Sequence, residues 1–186
     1  MGRLNVLEVV PVTPERLNDV AALFSTSRVV TQCWCMWPRL VCGLFRPGDT
    51  ANRDAMTRLI WSAEVPGVIA LVEQRPVGWC AVGRRHDYPQ YGEVSRDDDA
   101  WAVPCLFVAE AARGAGVGQA LVKAALVHCR ASGASKVHGP PPRWQPGGPD
   151  ATAAAVAAFL NNGFERVADG ARMPILEKTI RGDDTE

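Results

Sequence analysis

The 186-residue sequence has no apolar run approaching the roughly 20 residues that a membrane-spanning helix needs, so no membrane partner is expected. It has no excess of either charge. Lys plus Arg and Asp plus Glu number 20 each, which removes the global field that recruits nucleic acid or an anionic lipid surface. Its six cysteines are too sparse for a disulfide scaffold in a chain this long. Cys33, Cys35 and Cys42 lack the paired spacing of a structural zinc site and no second pair follows, so no metal is expected. The opening segment, Met1 to Glu8, carries a charge without a continuous apolar stretch behind it and does not read as a secretory signal. The expectation is a cytoplasmic protein with reduced thiols.

What is present fits a globular domain. Hydrophobic residues make up 47% and charged residues 22%, enough to bury a sizeable core. Residues 1–180 are read as one domain and 181–186 as a disordered tail. Leu4 to Val10 is strand-like, and Thr13-Pro14-Glu15 predicts an N-capped helix running to Ser25 and burying Leu17, Val20, Ala21 and Phe24. The segment from Ser27 to Thr50 is read as a loop with short elements, followed by a helix to about Ala63. Val68 to Glu73 and Val77 to Val82 predict a hairpin turning at Gln74-Arg75-Pro76. The polar stretch Arg84 to Asp99 is read as a mobile loop. Trp101 to Val108 predicts a strand, with a bulge or edge at Pro104 because proline cannot donate a ladder hydrogen bond. Val117, Ala120, Leu121, Ala124 and Val127 recur at helical spacing up to Gly133. A short strand at Lys136 to Gly139, an Ala-rich helix capped by Asp150 and a final hairpin around Asp169-Gly170 complete a mixed α/β (α+β) domain.

The segment that carries chemistry is Cys105 to Gly118, where an apolar strand passes through a glycine loop, Arg113-Gly114-Ala115-Gly116-Val117-Gly118, into the amphipathic helix. Glycines let backbone approach a ligand, and exposed N–H groups at a helix start favour phosphate, so an anion site is expected at Arg113 to Gln119. A tight turn without a ligand would use the same glycines. Two familiar phosphate binders are excluded. A P-loop needs Lys and then Ser or Thr after the last glycine, where this chain has Gln119-Ala120. A dinucleotide fingerprint needs a glycine at 119 and an acid about 20 residues on, where the chain has Gln119 and His138.

Arg113, Gly116 and Gly118, in strand-loop-helix context, match the signature of the GNAT superfamily of acyl-CoA-dependent N-acyltransferases, which this sequence resembles. A helix ending Asn162-Gly163-Phe164 is a second feature similar to that family. The resemblance implies a single GNAT-like domain with a mixed, mostly antiparallel sheet flanked by helices, and a splayed parallel strand pair that holds acetyl-CoA. It implies that the loop amides of Ala115 to Gln119, with Arg113 and Gly114, bind the pyrophosphate, and that the strand Leu106, Phe107 and Val108 takes the pantetheine arm through main-chain groups.

The sequence departs from the family pattern at the proton-transfer positions. Ala102, eleven residues before Arg113, stands where many relatives carry a general-base Glu, and Leu160 stands where many carry a Tyr acid. The Asn that often assists the cofactor falls near Ala153. Candidate catalytic residues are therefore His86, Asp87 and Asp99, at or near strand ends. Trp34, Cys35, Met36 and Trp37 form an aromatic and sulfur cluster in a region that lines the acceptor pocket in relatives. Trp34, Cys35, Trp37 and Trp101 are candidate acceptor contacts, with a core plug beneath a long loop as the competing reading. Asp87, Glu93 and Asp97 to Asp99 would draw a cationic amine if they face the cleft. His128 and Cys129 are read as packed, and His138 is unassigned. The expected activity is acetyl transfer to an amine of a small molecule or peptide, with a homodimer allowed. A non-catalytic acyl-CoA-binding or sensing module is the alternative, and an interaction scaffold that lost the cofactor is disfavoured by the intact loop.

Overall fold

The computed structural model describes residues 6–40, 48, 50–62, 64–91, 99–141, 149–169 and 174–180. Cys42, Glu93, Asp97, Asp98 and the 181–186 tail lie outside them. Strand β1 (Leu7–Pro11) pairs antiparallel with β2 (Gly67–Val72), β2 with β3 (Arg75–Ala81), and β3 with β6 (Leu106–Val108). A second sheet has the order β4 (Gly83–Arg84), β5 (Trp101–Ala102), β7 (Lys136–His138), β9 (Ile175–Thr179), β8 (Glu165–Ala168). Among the described residues, only the β5–β7 pairing is parallel.

Period-two alternation divides the first sheet between two cores. Val68, Ala70, Cys80, Val82 and Leu106 face α4 (Val117–Ala131) and α5 (Pro149–Leu160). Ile69, Trp79, Ala81 and the half-buried Phe107 face α1 (Leu17–Ser25), α2 (Arg28–Cys33) and α3 (Thr50–Trp61). The sheet is thus covered on both faces, as its apolar runs require.

Local departures from the expected elements have local causes. Pro14–Arg16 forms a 3₁₀ turn before α1, and the Thr13 hydroxyl bonds the Glu15 carboxylate rather than capping a backbone N–H. Leu23 joins Val20 and Phe24 in the core, while Leu17 and Ala21 stay half-buried. The β2–β3 turn sits at Glu73-Gln74, not Gln74 to Pro76. Both residues have positive φ (50° and 63°), the conformation that matches strand twist in a two-residue hairpin. Nor is Arg84 to Asp99 a mobile polar loop throughout. Residues 85–87 and 89–91 form 3₁₀ turns that bury Tyr88 and Tyr91 to 1% exposure.

The bulge expected at Pro104 is present and divides one predicted strand between two sheets. From the pair Cys80↔Leu106 to the pair Gly83↔Ala102, one side advances three residues (80 to 83) and the other four (106 to 102). That extra residue bends the chain, so β5 pairs with β7 while β6 pairs only with β3.

Candidate active site

The bend at Pro104 opens a gap beside β6. The last ladder bond between the parallel strands runs from the Val103 amide to the His138 carbonyl (2.9 Å), and the Gly139 amide then turns to Leu176 on β9 (2.8 Å). On its other edge β6 is fixed by Ala81 N–H donating to Cys105 C=O and Ala109 N–H donating to Val77 C=O, each at 2.9 Å. Because antiparallel residues alternate in the direction of their polar groups, the N–H and C=O of Leu106 and Val108 point away from β3 into that gap. The Arg113 Nε donates to the Val108 carbonyl there, at 3.2 Å.

A cleft of about 340 Å³ occupies the gap. One wall is β6 with Arg113, Gly114 and the first turn of α4, and the other is the alanine face of α5, Ala151, Ala154, Ala155, Ala157 and Ala158. Gly116 holds the N-cap of α4 at φ 79°, and Gly114 has φ 77°. A side chain at either would be strained in this left-handed region even though the space around both is open. No side chain caps the helix, and the first backward bond runs from Ala120 N–H to Gly116 C=O. The amides of Gly116, Val117, Gly118 and Gln119 therefore remain available to an anion, at the positive end of the helix dipole.

Of the ten residues expected to bind the cofactor, Leu106, Phe107, Val108, Arg113, Gly114, Gly116, Val117, Gly118 and Gln119 line this cleft. Ala115 is exposed on the loop and is not among the lining residues. Ala153, where the assisting Asn was sought, also lies off the lining, on the exposed side of α5.

The acceptor candidates lie differently. Trp34 is 8% exposed, edge-on to Phe24 with ring centres 5.3 Å apart. Cys35 is 3% exposed and accepts the Trp79 indole N–H at 3.1 Å, and burial pushes its thiol well above the usual range. Both belong to the core beneath β3, with consecutive positive φ values of 47° and 56° held by that packing. Trp101, 7% exposed, packs edge-on against His128 at 5.6 Å on the α4 side. These three side chains fill the core rather than lining an open face. Trp37 is half-buried and contacts the α4-side core.

The proton-transfer candidates cluster where β4 leaves the sheet. Asp87 lies 3.7 Å from Arg39 and 3.5 Å from the Nε2 of His86, which is more than half exposed. Arg39 donates to the Tyr88 hydroxyl at 2.8 Å and stacks over its ring. Asp99 is exposed at the N-terminal side of β5. Ala102 is wholly buried against Tyr88 and Tyr91. Leu160 is exposed and does not line the cleft. Among the described residues, no three His, Cys, Asp or Glu side chains gather as a metal site, and no helix is long and apolar enough to cross a membrane.

The acetyltransferase (GNAT) family is matched over residues 34–139. The chain belongs to this family. Solved GNAT folds superpose on nearly its whole length. The PaiA N-acetyltransferase of Thermoplasma acidophilum in complex with coenzyme A is 12% identical, with 94% of this chain and 99% of that one covered at a TM-score of 0.55. A ribosomal-protein-alanine N-acetyltransferase from Brucella melitensis is 18% identical, covering 93% and 99% at 0.56. An aminoglycoside N-acetyltransferase in complex with CoA is 15% identical, covering 97% and 94% at 0.60. At these identities the likeness establishes the fold. Among curated proteins none matches the sequence.

Two features of this GNAT site were not legible in the sequence. Tyr88 and Tyr91 lie in a polar stretch with no periodicity to mark them as buried. The methyl wall of α5 had a signal, the alanine run 153–155 and 157–158, but nothing local says which alanines face the cofactor strand.

Proposed function

We propose that the protein transfers the acetyl group of acetyl-CoA to a primary amine of a small molecule or a peptide. The observation that carries this reading is a single cleft onto which both the uncapped amides of Gly116 to Gln119 and the outward main-chain groups of Leu106 and Val108 open. The first set suits a pyrophosphate, and the second suits the amide-bearing pantetheine arm. Arg113 and the Gly114-Ala115 turn complete the phosphate cradle. The Val108 N–H then polarises the thioester carbonyl, and positioning supplies most of the acceleration.

The amine must lose its proton before it attacks. Our candidate to receive that proton, through water, is His86, which has Asp87 beside it at 3.5 Å, and Asp99 would add negative charge near the β4–β5 end of the sheet. A positioned base contributes about 10² to 10⁴-fold. Trp37 is the acceptor contact that remains outside the fully buried set. The reading covers residues 1–180 as one domain and places it in the cytoplasm, which suits the free thiols Cys33, Cys35, Cys80, Cys105 and Cys129.

One observation favours a second reading, a non-catalytic acyl-CoA-binding module. The Ala102 methyl lies sealed beneath Tyr88 and Tyr91, leaving no base at that position. Thiol release from acetyl-CoA across a panel of small-molecule and peptide amines separates the two. Acceptor-dependent release supports the enzyme; CoA binding without turnover for any amine supports the module.

A further inference from the structure

One wall of the cleft includes the first turn of α4 and the other is α5, and one side chain reaches from the end of α5 to α4. The Asn162 carboxamide nitrogen donates to the Ala158 carbonyl at 2.8 Å, in the last turn of α5, and to the Gln119 carbonyl at 3.1 Å, in the first turn of α4. Both hydrogens of the amide are therefore engaged, one on each wall. The backbone carbonyl of the same residue accepts the Lys178 ammonium from β9 at 3.1 Å. Gly163, at φ 79°, sits beside that contact, and a Cβ there would stand 2.7 Å from the Lys178 nitrogen, which could swing aside. Gln119 and Ala158 both line the cleft.

We propose that Asn162 is a positioning residue for the cofactor. By tying the end of α5 to the α4 turn that bears the phosphate-binding amides, it sets the width of the cleft before the ligand arrives. Preorganising the two walls removes part of the ordering cost of binding. The proposal rests on the reading of this cleft as the CoA site. It also separates Asn162 from a residue that merely ends a helix. The Lys178 contact stabilises the same end of α5 but does not cross the cleft.

The test is calorimetric titration of CoA into the parent, Asn162→Ala, Asn162→Gln and Lys178→Met proteins, with a thermal melt of each. Asn162→Ala should bind CoA about three- to tenfold more weakly than the parent, the loss expected when a neutral hydrogen bond is removed. Asn162→Gln, which keeps the two donors, should recover part of that loss. Lys178→Met should lower the melting temperature while holding CoA affinity near the parent's. If Asn162→Ala binds as the parent does, if Asn162→Gln binds no better than Asn162→Ala, or if Lys178→Met loses as much affinity, the positioning role is wrong while the cofactor site stands. If the parent binds no CoA, the site assignment and the positioning role fall together.

Discussion

On the α4 side of strand β6 the chain leaves space and unspent hydrogen-bonding capacity, while the opposite side is packed with aromatic rings and thiols. The first side has two left-handed glycines, an uncapped helix start and a wall of methyls around about 340 Å³. The second has Phe24 edge-on to both Trp34 and Trp79, and a fully buried Trp79 that donates to Cys35. On our reading one side receives the ligand and the other packs the strand from behind. Residue type alone does not decide between the two sides, since Trp and Cys fit a pocket or a core plug equally and an alanine run does not say which methyls face the strand.

Substitutions on the two sides should therefore fail in different ways. The largest effect is expected on the packed side, where Trp79→Ala removes a fully buried indole and leaves Cys35 without its donor. Denaturant unfolding should show a loss of about 3–5 kcal/mol. A loss under about 1 kcal/mol would mean that this side is not a rigid core.

On the open side, Gly116→Glu puts a carboxylate and a strained left-handed residue where the phosphate amides converge. CoA affinity measured by calorimetry should fall at least a hundredfold, about 2.7 kcal/mol, whereas the backbone strain costs about 1–2 kcal/mol of stability. Near-parental affinity would remove the loop from the site.

Gly118→Ala sharpens the contrast further. An added Cβ would meet Ala158 at 3.6 Å and Leu106 at 3.7 Å, ordinary contacts, so the helix should gain about 0.5–1 kcal/mol in a thermal or denaturant melt. CoA affinity should stay within about threefold, because a methyl there makes only ordinary contacts and leaves the loop amides in place. A destabilised variant would show that the first turn of α4 packs more tightly than these distances allow.

The smallest effect concerns His128, on the solvent side of the core that α4 covers. Burial against Trp101 lowers its pKa below the ordinary 6.5. The folded state then binds the proton less well than the unfolded state, so stability is fully present above pH 6.5 and is lost as pH falls below it. Melting temperatures from pH 7.5 to 5.5 should decline less for His128→Gln than for the parent. Equal slopes would contradict the assignment.

Much of the fold was readable because its signals are local. The glycine loop, the 117–131 periodicity, the hairpins and the Pro104 bulge all lie within short windows. What could not be read depends on contacts between distant segments. Asn162 lies 43 residues from Gln119, and no pattern in either segment predicts their hydrogen bond. Trp34 and Trp101 read equally well as acceptor contacts or as core, because sequence cannot tell which side of a wall a large ring faces. The cofactor side was legible for the opposite reason. There the ligand would be held by main-chain groups, and glycine and proline are the residues that report main-chain geometry.

Amide chemical shifts of the ¹⁵N-labelled protein, followed as CoA is titrated in, test the contrast between the two sides of β6 most directly. The amides of Gly116, Val117, Gly118, Gln119, Leu106 and Val108 should move in a saturable way, with Trp34, Cys35 and the Trp79 indole nearly still. Saturable movement centred on Trp34 and Cys35, with the Gly116 to Gln119 amides unmoved, would contradict the account.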